Sequence, residues 1–445
     1  MTTGIEPRRA DHAAPTFRDA FGYWVRLGFT NFGGPAGQIS MMHDEIVERR
    51  QWLSHERFMH ALNYCMLLPG PEAQQLAIYI GWLFHRTLGG IVAGVAFILP
   101  GVLVMLGLSI LYVTQGDVGW AEGIFFGLQA AVIAIVALAV QRVGKRSLKN
   151  VVMYLVAGAA FISIFMFAAP FPLVVLAALI LGLVGGVVRP DLFLTVSEEG
   201  SAVVEVDHAD TSWGRALRVL MVGLAVWWGP LLAMMAWGES VFAREAVFFS
   251  QAAMVTFGGA YAVLSYLDQA AVTRFGWLQP GQMLTGLGLA ETTPGPLILV
   301  TQFVGFVAAY NFPGSLPPLV AGTVGAAVTV WATFVPCFLW IFLGAPFIEK
   351  IRGNRALTGG LSTVTSAVVG VLLNLSIVFA LRTLFTEVRT EEFLGGRIPV
   401  PDLGSISWEA TFIALGAALL MSRAGWSVIR TVAVAAATGL LLTVL

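Results

Sequence analysis

Charge is scarce in this sequence. Its 445 residues hold 25 Lys and Arg and 26 Asp and Glu, 11% together, against about 25% in soluble domains. That shortage excludes water as the main solvent. A net charge of −1 says nothing of partners, and the lack of any basic stripe argues against nucleic acid. Cysteine is rarer still: Cys65 and Cys337 both sit in apolar segments, have no metal-ligand spacing, and read as small buried hydrophobes. The six histidines, at 12, 43, 55, 60, 85 and 208, form no triad and no metal spacing. No catalytic residue, metal or cofactor is therefore expected. No Gly-x-x-x-x-Gly-Lys-Ser/Thr loop occurs, which argues against direct use of ATP. Residues 1–15 are polar, so no cleaved signal peptide is expected.

What the chain has instead is apolar sequence, 57% by count with a mean hydropathy of +0.81. A bilayer crossing takes about 20 apolar residues. Candidate crossings lie at 88–113, 120–141, 151–169, 171–188, 216–237, 319–345, 357–381, 407–421 and 426–445, the eighth being short.

Inside this apolar sequence, one pattern of helix breakers is written twice. Phe32-Gly33-Gly34 and Pro69-Gly70-Pro71 recur as Phe257-Gly258-Gly259 and Pro294-Gly295-Pro296, each 225 positions later, and Trp52-Leu53 recurs as Trp277-Leu278 at the same offset. Proline lacks the amide donor and clashes with the preceding turn, so a helix stops at Pro69 and can restart after Pro71. The stretches 17–32, 36–47, 56–68 and 72–84 are too short to span as ordinary helices and read as half-helices in re-entrant hairpins. Matched interruptions in two halves of a membrane chain point to a transport site.

Loop charge orients the halves, because cations mark the cytoplasmic side. Arg142, Lys145, Arg146 and Lys149 place one loop inside, whereas its counterpart at 382–402 mixes Arg382, Arg389 and Arg397 with Glu387, Glu391, Glu392 and Asp402 and reads as outside. The turn at 114–119 has no cation, but its counterpart holds Lys350, Arg352 and Arg355. The expected fold is an all-α polytopic membrane protein of two inverted-topology repeats. Each has broken half-helix hairpins and about four spanning helices, with one connecting helix between them. The expected divisions are a repeat at 1–188, a cytoplasmic linker at 189–215 holding Glu198, Glu199, Glu205, Asp207, His208 and Asp210, a connecting helix at 216–238, and a second repeat at 239–445. Arg8, Arg9 and Arg18 put the N-terminus in the cytoplasm.

Half-helices starting near Ala36, Glu72, Ala260 and Leu297 would aim their N-termini at the midplane. Free amides and the helix dipole bind anions without any cationic side chain. Four such ends around one cavity would suit a doubly charged oxyanion, and glycines at 33, 34, 70, 258, 259 and 295 would let it approach the backbone.

Phe32–Pro35, the run Arg49-Arg50-Gln51-Trp52-Leu53, Leu68–Pro71 with Glu72-Ala73-Gln74-Gln75-Leu76-Ala77, and Gly81-Trp82 resemble the N-terminal domain of the chromate ion transporter family. Thr256–Gly259, Glu291–Pro296 and Gln302 resemble its C-terminal domain, so the likeness covers nearly the whole chain in the two-domain form. The resemblance implies a multi-pass inner-membrane secondary transporter that exports chromate. It further implies sulfate as a competitor and protons as the coupling ion. Other partners expected are the lipid bilayer and, as an allowed arrangement, a second copy in a homodimer. A sulfate or other tetrahedral oxyanion carrier, an importer, a channel and a polytopic membrane enzyme are the alternatives.

The candidate binding residues are Arg26, Asn31, Gly33, Gly34, Gln38, Gly70, Glu72, Gln74, Gln75, Gly258, Gly259, Thr292, Thr293, Gly295 and Gln302, with Thr301 beside them. Gln74 is the favoured side-chain donor. Arg26, two turns before Gly33, would bind the oxyanion directly, pair with a carboxylate or snorkel to the surface; its repeat partner is Gln251. Glu72 and Glu291 either cap helices or carry protons. The charge run His43-Asp44-Glu45 through Glu48-Arg49-Arg50 reads as a solvated helix end or as a gate.

Overall fold

The computed structural model describes residues 15–32, 34–116, 118–194, 212–236, 241–257, 260–347, 354–393 and 395–444. Arg8, Arg9, Gly33, Gly258, Gly259, Lys350, Arg352 and the acidic linker residues with His208 lie outside them.

The first half runs α1 (Phe17–Thr30), α2 (Gly34–His43) with a π-helical turn (Asp44–Arg49), α3 (His55–Cys65), α4 (Glu72–Gln115), α5 (Gly119–Ser147), α6 (Val151–Phe165), α7 (Phe171–Val188) and a short α8 (Pro190–Phe193). Next come α9 (Trp213–Met235), α10 (Val241–Val255), α11 (Ala260–Asp268) with a second π-helical turn (Gln269–Arg274), and α12 (Gln282–Thr292). A 3-10 turn (Leu297–Leu299) leads into α13 (Val300–Asn311), followed by α14 (Pro318–Gly344) and α15 (Arg355–Leu384). Strands β1 (Val388–Phe393) and β2 (Gly396–Pro401) precede α16 (Trp408–Ser422) and α17 (Val428–Val444). Among the described residues, six helices are long and apolar enough to cross a membrane.

One of those six, α4, is not a single rod. Its backbone leaves helical geometry at His85 and Arg86, and a Cβ on Gly81 would stand 2.5 Å from the Gly89 carbonyl oxygen. The chain therefore doubles back, giving a short arm at 72–84 and a long arm at 87–115, so the half-helix expected after Pro71 is present. The expected start at Ala36 shifts to Gly34. The loop expected at 382–402 instead holds an antiparallel hairpin pairing Val388 with Pro401 and Phe393 with Gly396. No long apolar run marks that hairpin: β1 is polar and exposed, and β2 is a short half-buried strand broken by two prolines.

The two halves repeat in structure at the offset of 225. The π-helical turns at Asp44–Arg49 and Gln269–Arg274 coincide. The Trp52 amide donates to Ile46 as the Trp277 amide does to Ala271. Even the left-handed residue recurs, as Gln51 (φ 51°) and Gly276 (φ 61°). The Arg50 guanidinium over the Trp52 ring at 4.6 Å is replaced by a stack of Phe275 on Trp277 at 4.3 Å. In the first half Arg50 also donates to Glu45 at 2.8 Å, so part of the charge run is tied into packing.

The halves interlock. Helices α6 and α7 pack on α15, and α16 and α17 pack on α5. Small residues make these approaches close: Gly182 and Gly186 meet Gly359, and Gly127 meets Ala435. Lipid tails supply no hydrophobic drive between such helices, so contact at backbone range does the work.

Contacts between connections sort them into two ends. At one end Phe17 packs on His85, Asn150 donates to the Leu192 carbonyl and Arg215 to that of Phe342. At the other the Arg397 amide donates to Met166, Gln269 to Ala168, and Arg382 pairs with Asp268 at 3.1 Å.

Candidate functional site

Six helices that begin at the ends of the bundle start on capping side chains. Thr16, Ser54, Asn150, Ser212, Asn354 and Ser407 each accept from an amide of the first turn. Helices α5, α7, α12 and α14 start without a side-chain cap, and so do the two segments that follow the Pro-Gly-Pro breaks. α4 follows Pro71 and the turn at Leu297 follows Pro296, neither with a side-chain cap, so amides of the first turn are left for another acceptor.

The first break of the first half lies between Thr30 and Gly34. Gly34 holds φ +71° with open space where a Cβ would stand, a conformation that suits glycine. Asn31 and Gln38 are fully buried here. Asn31 Nδ2 donates to the Phe97 carbonyl at 3.0 Å. Gln38 Nε2 donates to Asn31 O at 2.8 Å and to Gly295 O at 2.6 Å. The Gly295 amide donates back to Asn31 O at 3.3 Å.

The second break of the first half runs from Pro69 to Pro71. Gln75 Nε2 donates to the Pro69 carbonyl at 2.8 Å. The Gly70 amide donates to the Thr256 carbonyl at 2.7 Å. A Cβ on Gly70 would lie 2.9 Å from Cys337 Sγ, and φ is +129°.

Asn31 and Thr256 are repeat partners, as are Gly70 and Gly295. The two cross-half bonds are thus one bond written twice, each joining the second break of one half to the first break of the other. The expectation of four helix ends around one cavity becomes a crosswise pairing of breaks, two by two. The long arm of α4 ties the pairs together. Gly94 meets the Phe338 ring beside Cys337, while the Phe97 carbonyl and Gly101 serve Asn31 and Pro294. Three to seven residues of helix separate these contacts, about 4–10 Å at 1.5 Å per residue.

Several of the expected site residues converge here as buried amides with unsatisfied atoms. Asn31 Oδ1, Gln38 Oε1, Gln75 Oε1 and Gln302 Oε1 have no partner, and Gln74 has none at either end. A side-chain amide turned by 180° exchanges donor for acceptor. For Asn31, Gln38, Gln75 and Gln302 that turn breaks an existing bond, Gln302 Nε2 being held by the Val102 carbonyl at 2.9 Å. Gln74 alone among them can donate to a ligand at no such loss.

Of the other expected residues, Glu72 follows Pro71 and Thr292 and Thr293 precede Pro294, whereas Arg26 stands apart. Arg26 is on the exposed face of α1, away from buried Trp24, Leu27 and Gly28. The Thr292, Thr293 and Thr301 hydroxyls donate to carbonyls of their own segment, at 2.8, 3.0 and 2.7 Å. Glu72 is half-buried and Glu291 buried. Sequence reasoning passed over Glu245, which is fully buried with both carboxyl oxygens unpartnered, and over Thr329 and Thr333, whose buried hydroxyls also lack partners. An acid inside an apolar half-helix was the available signal.

Clefts of about 420 Å³ between α16 and α17 and about 480 Å³ between α6 and α7 contain none of the expected residues. Their apolar walls offer an anion no compensation for lost water.

No solved structure matches this chain. It is 31% identical to the chromate transport protein of Cupriavidus metallidurans, over 84% of this chain and 85% of that protein. It is likewise 31% identical to the chromate transport protein of Pseudomonas aeruginosa, over 80% and 79%. Against the probable chromate transport protein of Synechococcus elongatus the figure is 30%, over 84% and 87%. The family model described as chromate transporter matches residues 18–183 and 244–440. On that coverage the chain belongs to the chromate transporter family, a family of membrane transporters and not of enzymes.

Proposed function

We propose that this protein is a secondary active transporter of the inner membrane that exports chromate in exchange for protons, holding the oxyanion at the paired helix breaks near the bilayer midplane. The observation that carries this reading is the crosswise bonding of the breaks around buried side-chain amides, with Gln74 free at both ends. Amides at the start of α4 and of the turn at Leu297 supply further donors and the positive end of a helix dipole. A dianion is then met by donors and not by a fixed counter-charge, which leaves it free to depart.

The halves act as inverted repeats, 1–188 and 239–445, joined by a cytoplasmic linker and the helix at 216–238. Two-fold bonding at the breaks supports that arrangement. So does the sorting of connections, since Asn150 shares one end with Leu192 while Arg397, in the counterpart connection, shares the other with Met166. Rocking of one half against the other gives alternating access. The N-terminus is cytoplasmic, Arg26 draws anions toward the breaks, and Glu72 or Glu291 takes the proton.

Counterflow in vesicles reconstituted with the full chain tests this reading. Trans chromate should accelerate uptake of labelled chromate, sulfate should compete, and a pH gradient should drive net flux. Unsaturable flux that ignores trans substrate would identify a channel instead.

A further inference from the structure

Glu245 lies in α10, with 0% of its surface exposed and both carboxyl oxygens unpartnered. A Cβ on Gly325 of α14 would stand 3.1 Å from its Oε2. No described ion pair reaches it. Of the elements packed on α10, α14 offers only Cys337 as a titratable group and α13 only Tyr310. On α9, Arg218 is exposed and Arg215 is held by the Phe342 carbonyl. On α11, Asp268 is paired to Arg382, with Tyr266 near it in sequence, and Arg244 beside Glu245 is exposed. A fully buried carboxylate with no protein donor and no described counter-charge is costly to retain, so its presence calls for a use.

From Glu245 a polar line runs along α14. Gly325, Thr329, Thr333 and Cys337 follow at four-residue spacing on one face, and Cys337 Sγ borders Gly70 at the second break. Thr323 of the same helix donates to the carbonyl four residues back at 2.8 Å, whereas the buried Thr329 and Thr333 hydroxyls have no partner. Successive positions are about 6 Å apart along the axis, a gap one bridging water spans, and buried waters settle on such unsatisfied groups.

The repeat supplies a control. Gly81 packs on Gly89 and Ala93 as Gly305 packs on Gly325 and Thr329. In that register Thr329, Thr333 and Cys337 correspond to Ala93, Phe97 and Gly101, and Glu245 corresponds to Ala20. The polar line exists in one half alone.

We infer that Glu245 is the carboxyl group through which a proton reaches the anion site, passed along waters held by Thr329 and Thr333 to the break at Gly70. The inference deepens the proton-exchange reading and rests on it. On proton arrival the carboxylate becomes a neutral acid. On the return step its O–H bond breaks, the proton passes to a water of the line, and the carboxylate is restored. Because only one junction carries the acid, protons have this route from one membrane face.

The test uses the full chain in vesicles, reading chromate flux and internal pH together for wild type, Glu245→Gln, Glu245→Asp and the double variant Thr329→Val, Thr333→Val. Proton movement per chromate should be lost in Glu245→Gln and partly restored in Glu245→Asp. The double valine variant should slow gradient-driven flux, and a protonated-carboxyl infrared band should vanish in Glu245→Gln. Wild-type proton movement in Glu245→Gln would overturn the inference alone. So would equal loss of chromate–chromate counterflow in both Glu245 variants, which marks a packing role. A wild type that moves chromate with no protons would overturn the coupling reading itself.

Discussion

The Gly70 amide donates to the Thr256 carbonyl at 2.7 Å, joining the second break of one half to the first break of the other. Its repeat counterpart, Gly295 to Asn31, makes the reverse connection. These bonds put the least regular backbone at the boundary between the halves, and non-helical backbone at membrane depth survives only in protein or beside a cavity.

Gly70→Leu should abolish chromate transport without preventing membrane insertion. The left-handed backbone and the neighbouring Gln75 Nε2, 2.8 Å from a Cβ, leave no room for a side chain. Gly34→Leu should act differently, since nothing lies within 4 Å of its Cβ. There the cost is backbone strain of about 1–3 kcal/mol, and the side chain occupies space the substrate would enter. Uptake and membrane-fraction yield check both, and retained uptake in Gly34→Leu would count against close approach of the anion.

Gln74→Leu separates stability from function. Removing a buried amide with no partner at either end should leave the unfolding midpoint unchanged or raised, since such a group costs about 1–3 kcal/mol. The same change removes a donor worth about 1.5–3 kcal/mol to a charged ligand, so the chromate Kd should rise about ten- to a hundredfold. Thermal unfolding and binding measured on the same preparation check it.

Arg26 is exposed, so its contribution should be electrostatic attraction of the anion from the surface. Arg26→Ala should slow uptake at low salt and lose that difference when the Debye length shrinks to about 3 Å at 1 M salt. Arg26→Lys should keep most of the rate. Equal, salt-independent loss in both would point to packing.

Reporter fusions after Lys149 and after Arg389 should give opposite sidedness, and one placed between Met166 and Phe171 should agree with Arg389. The hydrogen bond from the Arg397 amide to Met166 ties those last two connections together. One common side for Lys149 and Arg389 would rule out inversion.

Much of the fold was legible because its signals are local. Paired prolines around a glycine, Pro69 with Pro71 and Pro294 with Pro296, interrupt the helix where single prolines such as Pro100 and Pro336 do not, and apolar runs announce spans. Helix α7 falls at the residues expected, Phe171–Val188. The crosswise pairing was not legible, because it joins residues such as Gly70 and Thr256 that are remote in sequence. Gln74 stood out beside a proline break, whereas Glu245 lies outside the doubled breaker pattern, next to Arg244. Helix phase separates these neighbours, with Arg244 exposed and Glu245 buried. The hairpin at Val388–Pro401 stayed hidden because β1 is polar and exposed, and β2 has only Ile398 and Val400 alternating among prolines.

The central claim is that chromate binds at the paired breaks. Chromium is located directly by its anomalous scattering in crystals of the full chain soaked with chromate. The account places the peak within hydrogen-bonding reach of Gln74 and the first amides of α4. A chromium peak only at the bundle surface, or in the apolar clefts between the outer helices, would contradict it.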